Sequence, residues 1–265
     1  MPQNHDLRGR IAGQSAMAAV VEAQSRRAPR RAVARLFGVS PLTKQSRAQY
    51  RGAVGELLVG SILDRLGHSW DVLHGVPLGD TSLDHFAVGR AGVFAVTVVN
   101  CQGDDVAVNG DELIVARSVS TAIVTARTAA RAVAAALTTA LGRDVDVIAV
   151  LVMVEPVKVS MLAIPADVQI LTSMQLEQWL ASAPALFTGE EVATLSTAAE
   201  ASTTWPHPQQ AAQKSRNLTR AFVRIHHDVR AASLRSFFWI VTALIVTFLS
   251  VWVLVSVLTE LVVTS

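Results

Sequence analysis

The stretch AGVFAVTVVNCQG, residues 91–103, decides the fold. Val93, Phe94, Val96, Val98 and Val99 follow one another with Thr97 as the only hydroxyl before Asn100. A short β-branched run of this kind belongs to a strand covered on both faces. Immediately upstream, TSLDHFAVG (81–89) reads as its partner, with the hairpin turning at Gly89-Arg90-Ala91-Gly92. SWDVLHGVPL (69–78) is a further strand, and DDVAVNGDELIVA (104–116) is two short strands about an Asn-Gly turn. Helical spacing of Val54, Leu57, Leu58, Ile62, Leu63 and Leu66 predicts a helix over 47–67, ending at Gly67. An alanine-rich helix follows over 120–142, closed by Gly142, then an uncharged strand within 145–155. VQILTSMQLEQWLAS (168–182) gives a strand and a helix opened by Thr172 or Ser173. TGEEVATLSTAAEAS (188–202) gives a last helix, with Glu190 and Glu191 where the helix dipole favours acids. The alternation implies one α/β domain over residues 47–202.

The flanks differ from this core. Residues 1–52 carry ten Lys/Arg and two acids, residues 53–205 seven against seventeen, and residues 206–265 six against two. Two basic zones therefore bracket an acidic globule. Residues 1–46 read as a basic flexible arm with a short helix or two; SRRAPRRAVARLFGV (25–39) is either a solvated tail or a basic amphipathic element with Val33, Leu36 and Phe37 on one face. Such an arm attracts anionic lipid or nucleic acid. Residues 203–235 read as a linker, TTWPHPQQ, leading into a basic juxtamembrane helix. From Phe237 to Leu258 there is no charge. At the helical rise these 22 residues cover roughly 33 Å, enough to cross a hydrocarbon core of about 30 Å. We assign residues 236–259 as a single transmembrane helix. Arginines precede it and only Glu260 follows, so the domain is expected on the cytoplasmic side of a cell membrane, with about seven residues beyond the span. The early apolar stretch AMAAVVEA is short, contains Glu22 and is followed by arginines, unlike a secretory signal. The single cysteine, Cys101, excludes an intrachain disulfide and a thiolate metal cluster. The lysine-poor, Ala/Val/Arg-rich composition suggests a GC-rich bacterial genome.

The polar residues raise a question of chemistry. Asp84 and His85 are adjacent in SLDHF, and Glu56 follows a glycine in GAVGE. Hydrolysis of a phosphodiester needs a hard cation such as magnesium held by oxygen ligands, usually with a nearby ammonium. The ordered set Gly52-Ala53-Val54-Gly55-Glu56, Leu83-Asp84-His85, Gly92-Val93-Phe94, Asn100 and Gly103 resembles the nuclease-related domain, NERD, of the restriction-endonuclease-like superfamily. The resemblance runs from about Gln49 to about Ala201, and it implies a mixed sheet flanked by helices. It also implies a Glu-x-Lys pair on the second strand of the hairpin. Aligned on Gly92-Val93-Phe94 and Asn100, the Glu position is Thr97 and the Lys position is Val99. Both charged groups are missing. Glu56 and Asp84 are then vestigial candidates, Asp84 is the candidate metal ligand, and no cofactor is expected.

Two deletions of this kind each remove a contact of about 3–4 kcal/mol in the transition state. The expected function is a membrane-tethered, catalytically inactive nuclease-related domain acting as a binding or scaffold module. Two alternatives stand beside it. One is an active DNA or RNA nuclease using magnesium and a ligand relocated to Asp104, Asp105 or Gln102. The other is an accessory subunit of a membrane complex. Asp84 is also read as a bond to backbone amides, Glu56 as a surface acid, and His85 as a hydrogen-bonded histidine facing away from Asp84. His68 and His74 read as isolated. His226-His227 read as interfacial rather than metal-binding. Trp239 suits an interface anchor. No Gly-rich phosphate loop, Cys/His zinc spacing or nucleophile elbow occurs.

Overall fold

The computed structural model describes residues 7–26, 31–205 and 215–263. Its centre is a five-stranded sheet in the order β1-β2-β3-β7-β9. β1 (Trp70–Leu78), β2 (Thr81–Gly89) and β3 (Gly92–Asn100) form an antiparallel meander. β7 (Ile148–Val154) and β9 (Val168–Thr172) then add in parallel. A second, four-stranded sheet has the order β6-β5-β4-β8. It comprises β4 (Asp105–Asn109), β5 (Glu112–Val115), β6 (Ser118–Ser120) and β8 (Lys158–Ala163). The fold is thus a mixed α/β architecture with helices on both sides of the main sheet. β6 and β8 are not legible in the sequence: β6 has three residues, and β8 is an exposed edge.

Alternation along β3 divides the core. Val93 and Ala95 belong to the cluster under α4 (Ala122–Leu141), which presents Ile123, Ala126, Ala130, Val133 and Leu137 at helical spacing. Phe94 and Val96 face the opposite way, onto α3 (Lys44–Leu63) and α5 (Ser173–Ser182). Thr43 caps α3 in a reciprocal box with Ser46, and Thr188 does the same with Glu191 for α6 (Gly189–Glu200). Each box satisfies N–H groups that the first helical turn leaves open.

The flanks correct two expectations. The basic arm is not flexible throughout. A 3-10 turn at Leu7–Gly9 and α1 (Gln14–Ser25) pack on the domain, and Met17 and Val20 are fully buried with Ala53 and Phe222. Apolar Met17, Val20 and Val21 form one face, and burial of that face outweighs the repulsion among surrounding arginines. The expected linker starts too early. Trp205 is 3 % exposed in the main core, its indole N–H donating to the Ala199 carbonyl at 2.7 Å. Residues 206–214 of that linker lie outside the described residues. The basic segment leads into the apolar run as one helix, α7 (Ser215–Val263), because no proline or glycine interrupts it. Its candidate membrane-spanning stretch lies within Asn217–Ser256, with a mean hydropathy of 2.5 and none of its most apolar window buried.

Candidate functional site

The site lies where two strands part. β2 and β3 pair from Gly89↔Gly92 as far as His85↔Val96 and no further. β2 continues to Thr81 on β1, and β3 continues to Asn100 on β7. The fork would leave the Val98 N–H without a strand partner. Asp84 supplies one: its Oδ2 accepts from Val98 N at 2.7 Å. The carboxylate thus takes the place of a backbone carbonyl.

Glu56 comes from the other side of β3. α3 approaches β3 closely because residue 55 is glycine; a Cβ there would lie 3.2 Å from Asn100 Cβ and 3.4 Å from Val98 Cγ1. Asn100 fixes the same contact, its side-chain amide donating to the Arg51 carbonyl at 2.8 Å. The structure therefore brings Glu56 and Asp84 together. Burial raises the pKa of Glu56, and the Asp84 charge raises it further. Burial also raises Asp84, against the opposing effect of the Val98 N–H. Both shifts favour the protonated acids, more strongly at Glu56.

Thr97 and Val99 occupy the next turns of the β3 zigzag, opposite Leu151 and Met153 of β7. Val99 packs against the cluster under α4, and Thr97 shares its face by alternation. A hydroxyl and an isopropyl group therefore stand beside the fork, where metal-dependent cleavage requires an anion and a cation. Magnesium takes oxygen ligands in near-octahedral geometry. Here one Asp84 oxygen is committed to a backbone N–H, and Thr97 offers only a neutral hydroxyl where a second carboxylate is needed. No group of three or more His, Cys, Asp or Glu fit to hold a metal occurs among the described residues. These residues do not fit a catalytic magnesium centre. Two of the residues considered as relocated ligands turn elsewhere: Asp104 pairs with Arg51 at 2.6 Å, and the Gln102 amide donates to Glu155 at 2.8 Å.

The histidines give a second result. The register of the β1–β2 hairpin sets His74 opposite His85. Their Nδ1 atoms are 2.8 Å apart, and His74 Nε2 lies 3.1 Å from Asp64 Oδ1. His74 is therefore not isolated. Across the Nδ1 pair one ring donates and the other accepts. His85 Nε2 is a buried atom without a hydrogen-bond partner among the described residues. Burial and His74 push His85 down to about 3, against the opposing pull of the Glu56 backbone, so it stays neutral. The signal was available in the sequence: both histidines lie four residues outward from the Leu78–Thr81 turn.

A cleft of about 880 Å³ opens beside the fork, between α3, the ends of β3 and β7, and α7. Its polar wall includes Tyr50, Asn100, Gln102, Glu155, His226 and Arg230. Tyr50 Oη and His226 Nδ1 are hydrogen-bonded at 2.8 Å, which joins α3 to α7. The neighbouring His227 is exposed, its ring at 77° to that of His226. Glu155, a non-glycine residue with φ of 48°, holds a left-handed backbone at the cleft rim.

The architecture is a mixed α/β domain with a C-terminal apolar helix. Residues 51–154 match the family model of NERD, the nuclease-related domain, and this match implies a nuclease-like fold. The match begins within α3, ends with β7 and includes Glu56, Asp84, Thr97 and Val99. No curated protein and no solved structure matches the chain.

Proposed function

We propose that this chain is a membrane-anchored bacterial protein whose nuclease-related domain binds a partner and does not cut nucleic acid. The observation that carries the reading is the pairing of Thr97 and Val99 with an Asp84 that bonds the Val98 N–H. A carboxylate used to close a strand fork is poorly disposed to hold a hydrated cation. Without a second strand carboxylate or a lysine, nothing at the fork orients an attacking water or offsets phosphate charge. The cleft between α3 and α7 offers a binding surface in its place, amphiphilic and of a size that takes a small molecule or a peptide segment. In this reading residues 47–202 are the nuclease-related unit, the N-terminal segment and the first half of α7 are its collar, and residues 236–259 cross the cell membrane once. The arginines before the span support a cytoplasmic domain in this reading. No cofactor is required.

The test is incubation of the full-length protein in lipid nanodiscs with supercoiled plasmid, magnesium or manganese. The expected outcome is no cutting above a protein-free control. Metal-dependent cutting that disappears in Asp84→Asn would overturn the reading in favour of an active nuclease.

A further inference from the structure

The segment from Ala32 to Val39 has no role in the domain core, yet it is fixed to α7 by several contacts. α2 (Ala32–Leu36) ends in a tight turn at Phe37-Gly38. Gly38 has φ of 69°, and a Cβ there would fall 2.4 Å from both the Ala232 carbonyl oxygen and the Ser236 nitrogen. Only glycine allows this backbone to rest directly on that of α7. The Trp239 indole N–H donates to the Leu36 carbonyl at 2.9 Å, and the Arg235 guanidinium donates to the Arg35 carbonyl at 3.2 Å. The rings of Phe37 and Trp239 lie 5.0 Å apart.

These contacts fix the height of the segment along α7. They fall at Ala232–Trp239, where α7 changes from a charged helix to the uncharged run beginning at Phe237. If that run crosses a bilayer, residues 32–39 lie at its surface. The composition of the segment suits that depth. Val33, Leu36, Phe37 and Val39 are each at least half exposed. Arg31, Arg35 and Arg235 are exposed around them, with Asp228 the acid nearby. Apolar side chains beside arginines, at the level of an indole anchor, match the headgroup boundary of an anionic leaflet.

We propose that residues 31–39 form a second membrane contact: α2 and its turn lie in the anionic headgroup layer, clamped there by Gly38, Arg235 and Trp239. This rests on the membrane-spanning reading of α7. Continuity with the span and the excess of arginine over acid favour lipid over nucleic acid as the occupant.

The test uses full-length protein in a Cys101→Ala background, reconstituted in liposomes containing brominated lipid. An environment-sensitive dye is placed singly at Val33→Cys, Leu36→Cys, Leu249→Cys in the apolar run, or Met174→Cys on exposed α5. Dyes at 33, 36 and 249 should be quenched about twofold, as expected for residues seated in or below the headgroup boundary, and the dye at 174 should not. Quenching at 33 and 36 should strengthen with anionic lipid and weaken in Arg31→Gln/Arg35→Gln. Quenching at 249 without quenching at 33 and 36 overturns the proposal and leaves the span intact. Absence at all three overturns both. Equal quenching in neutral and anionic liposomes overturns the role of charge. Added duplex DNA that abolishes quenching at 33 and 36 assigns the surface to nucleic acid instead.

Discussion

The clearest quantitative consequence of the site concerns pH. Glu56 is held up to about 8 in the fold against 4.5 in the free side chain, so the native state retains a proton that the unfolded chain releases. Stability is therefore lost as pH rises from 4.5 towards 8. His85 acts in the opposite sense. Its folded value is about 3 against 6.5 unfolded, so stability is lost as pH falls below 6.5. Between 4.5 and 6.5 the two slopes oppose one another, and Asp84, raised to about 6, has exhausted its contribution by then. Above 6.5 only Glu56 remains. One proton over the remaining interval to pH 8 amounts to about 2 kcal/mol, roughly thirtyfold in an opening equilibrium. Cys101 reports that opening, since it is the single cysteine and fully buried. Alkylation of the full-length protein in mild detergent, normalised to a free thiol peptide at each pH, measures it. Wild type should lose protection from pH 6.5 to 8, and Glu56→Gln should flatten that limb. Protection that holds or rises over this interval, or a Glu56→Gln profile as steep as wild type, would refute the account of a buried, protonated Glu56.

Other substitutions test neighbouring parts of the structure. Asp84→Ala removes the acceptor of the Val98 N–H and should lower stability by about 1–3 kcal/mol more than Asp84→Asn, which keeps an oxygen there; thermal unfolding of the pair measures the difference. Trp205→Ala empties a core position and strands the Ala199 carbonyl, with an expected loss of about 3–5 kcal/mol by the same measurement. The double substitution Thr97→Glu/Val99→Lys restores the anion and cation that cleavage requires. It should confer magnesium-dependent plasmid nicking at least about tenfold above the protein-free control, given about 10²–10³ in rate for one electrostatic contact. No gain would mean that these two side chains are not what separates this domain from a cutting one.

The strands that build the main sheet were legible because they are buried. Val93 to Val99 and Ile148 to Val154 are uncharged runs, and only covered strands tolerate such composition. β8 was not legible for the converse reason: an exposed edge beginning at Lys158 has no alternation to reveal it. α1 was hidden by its setting, since the buried face of Met17 and Val20 is surrounded by a strongly basic segment whose charge suggests solvation. At the site, the absence of Glu and Lys at positions 97 and 99 followed from alignment to a resembling family. The use to which Asp84 is put did not, because a strand fork depends on where pairing stops, and local sequence does not encode that. His74 illustrates the intermediate case: its partner follows from hairpin arithmetic once the turn is placed at Gly79-Asp80.

α7 runs for 49 residues without proline or glycine, about 74 Å at the helical rise. Its first turns are gripped by α1 and, through Tyr50, by α3. There is consequently no swivel between globule and shaft. Torque or tilt applied to the apolar end travels along a rigid lever to the helix that carries Glu56, and the domain keeps one fixed bearing toward whatever surface holds that end.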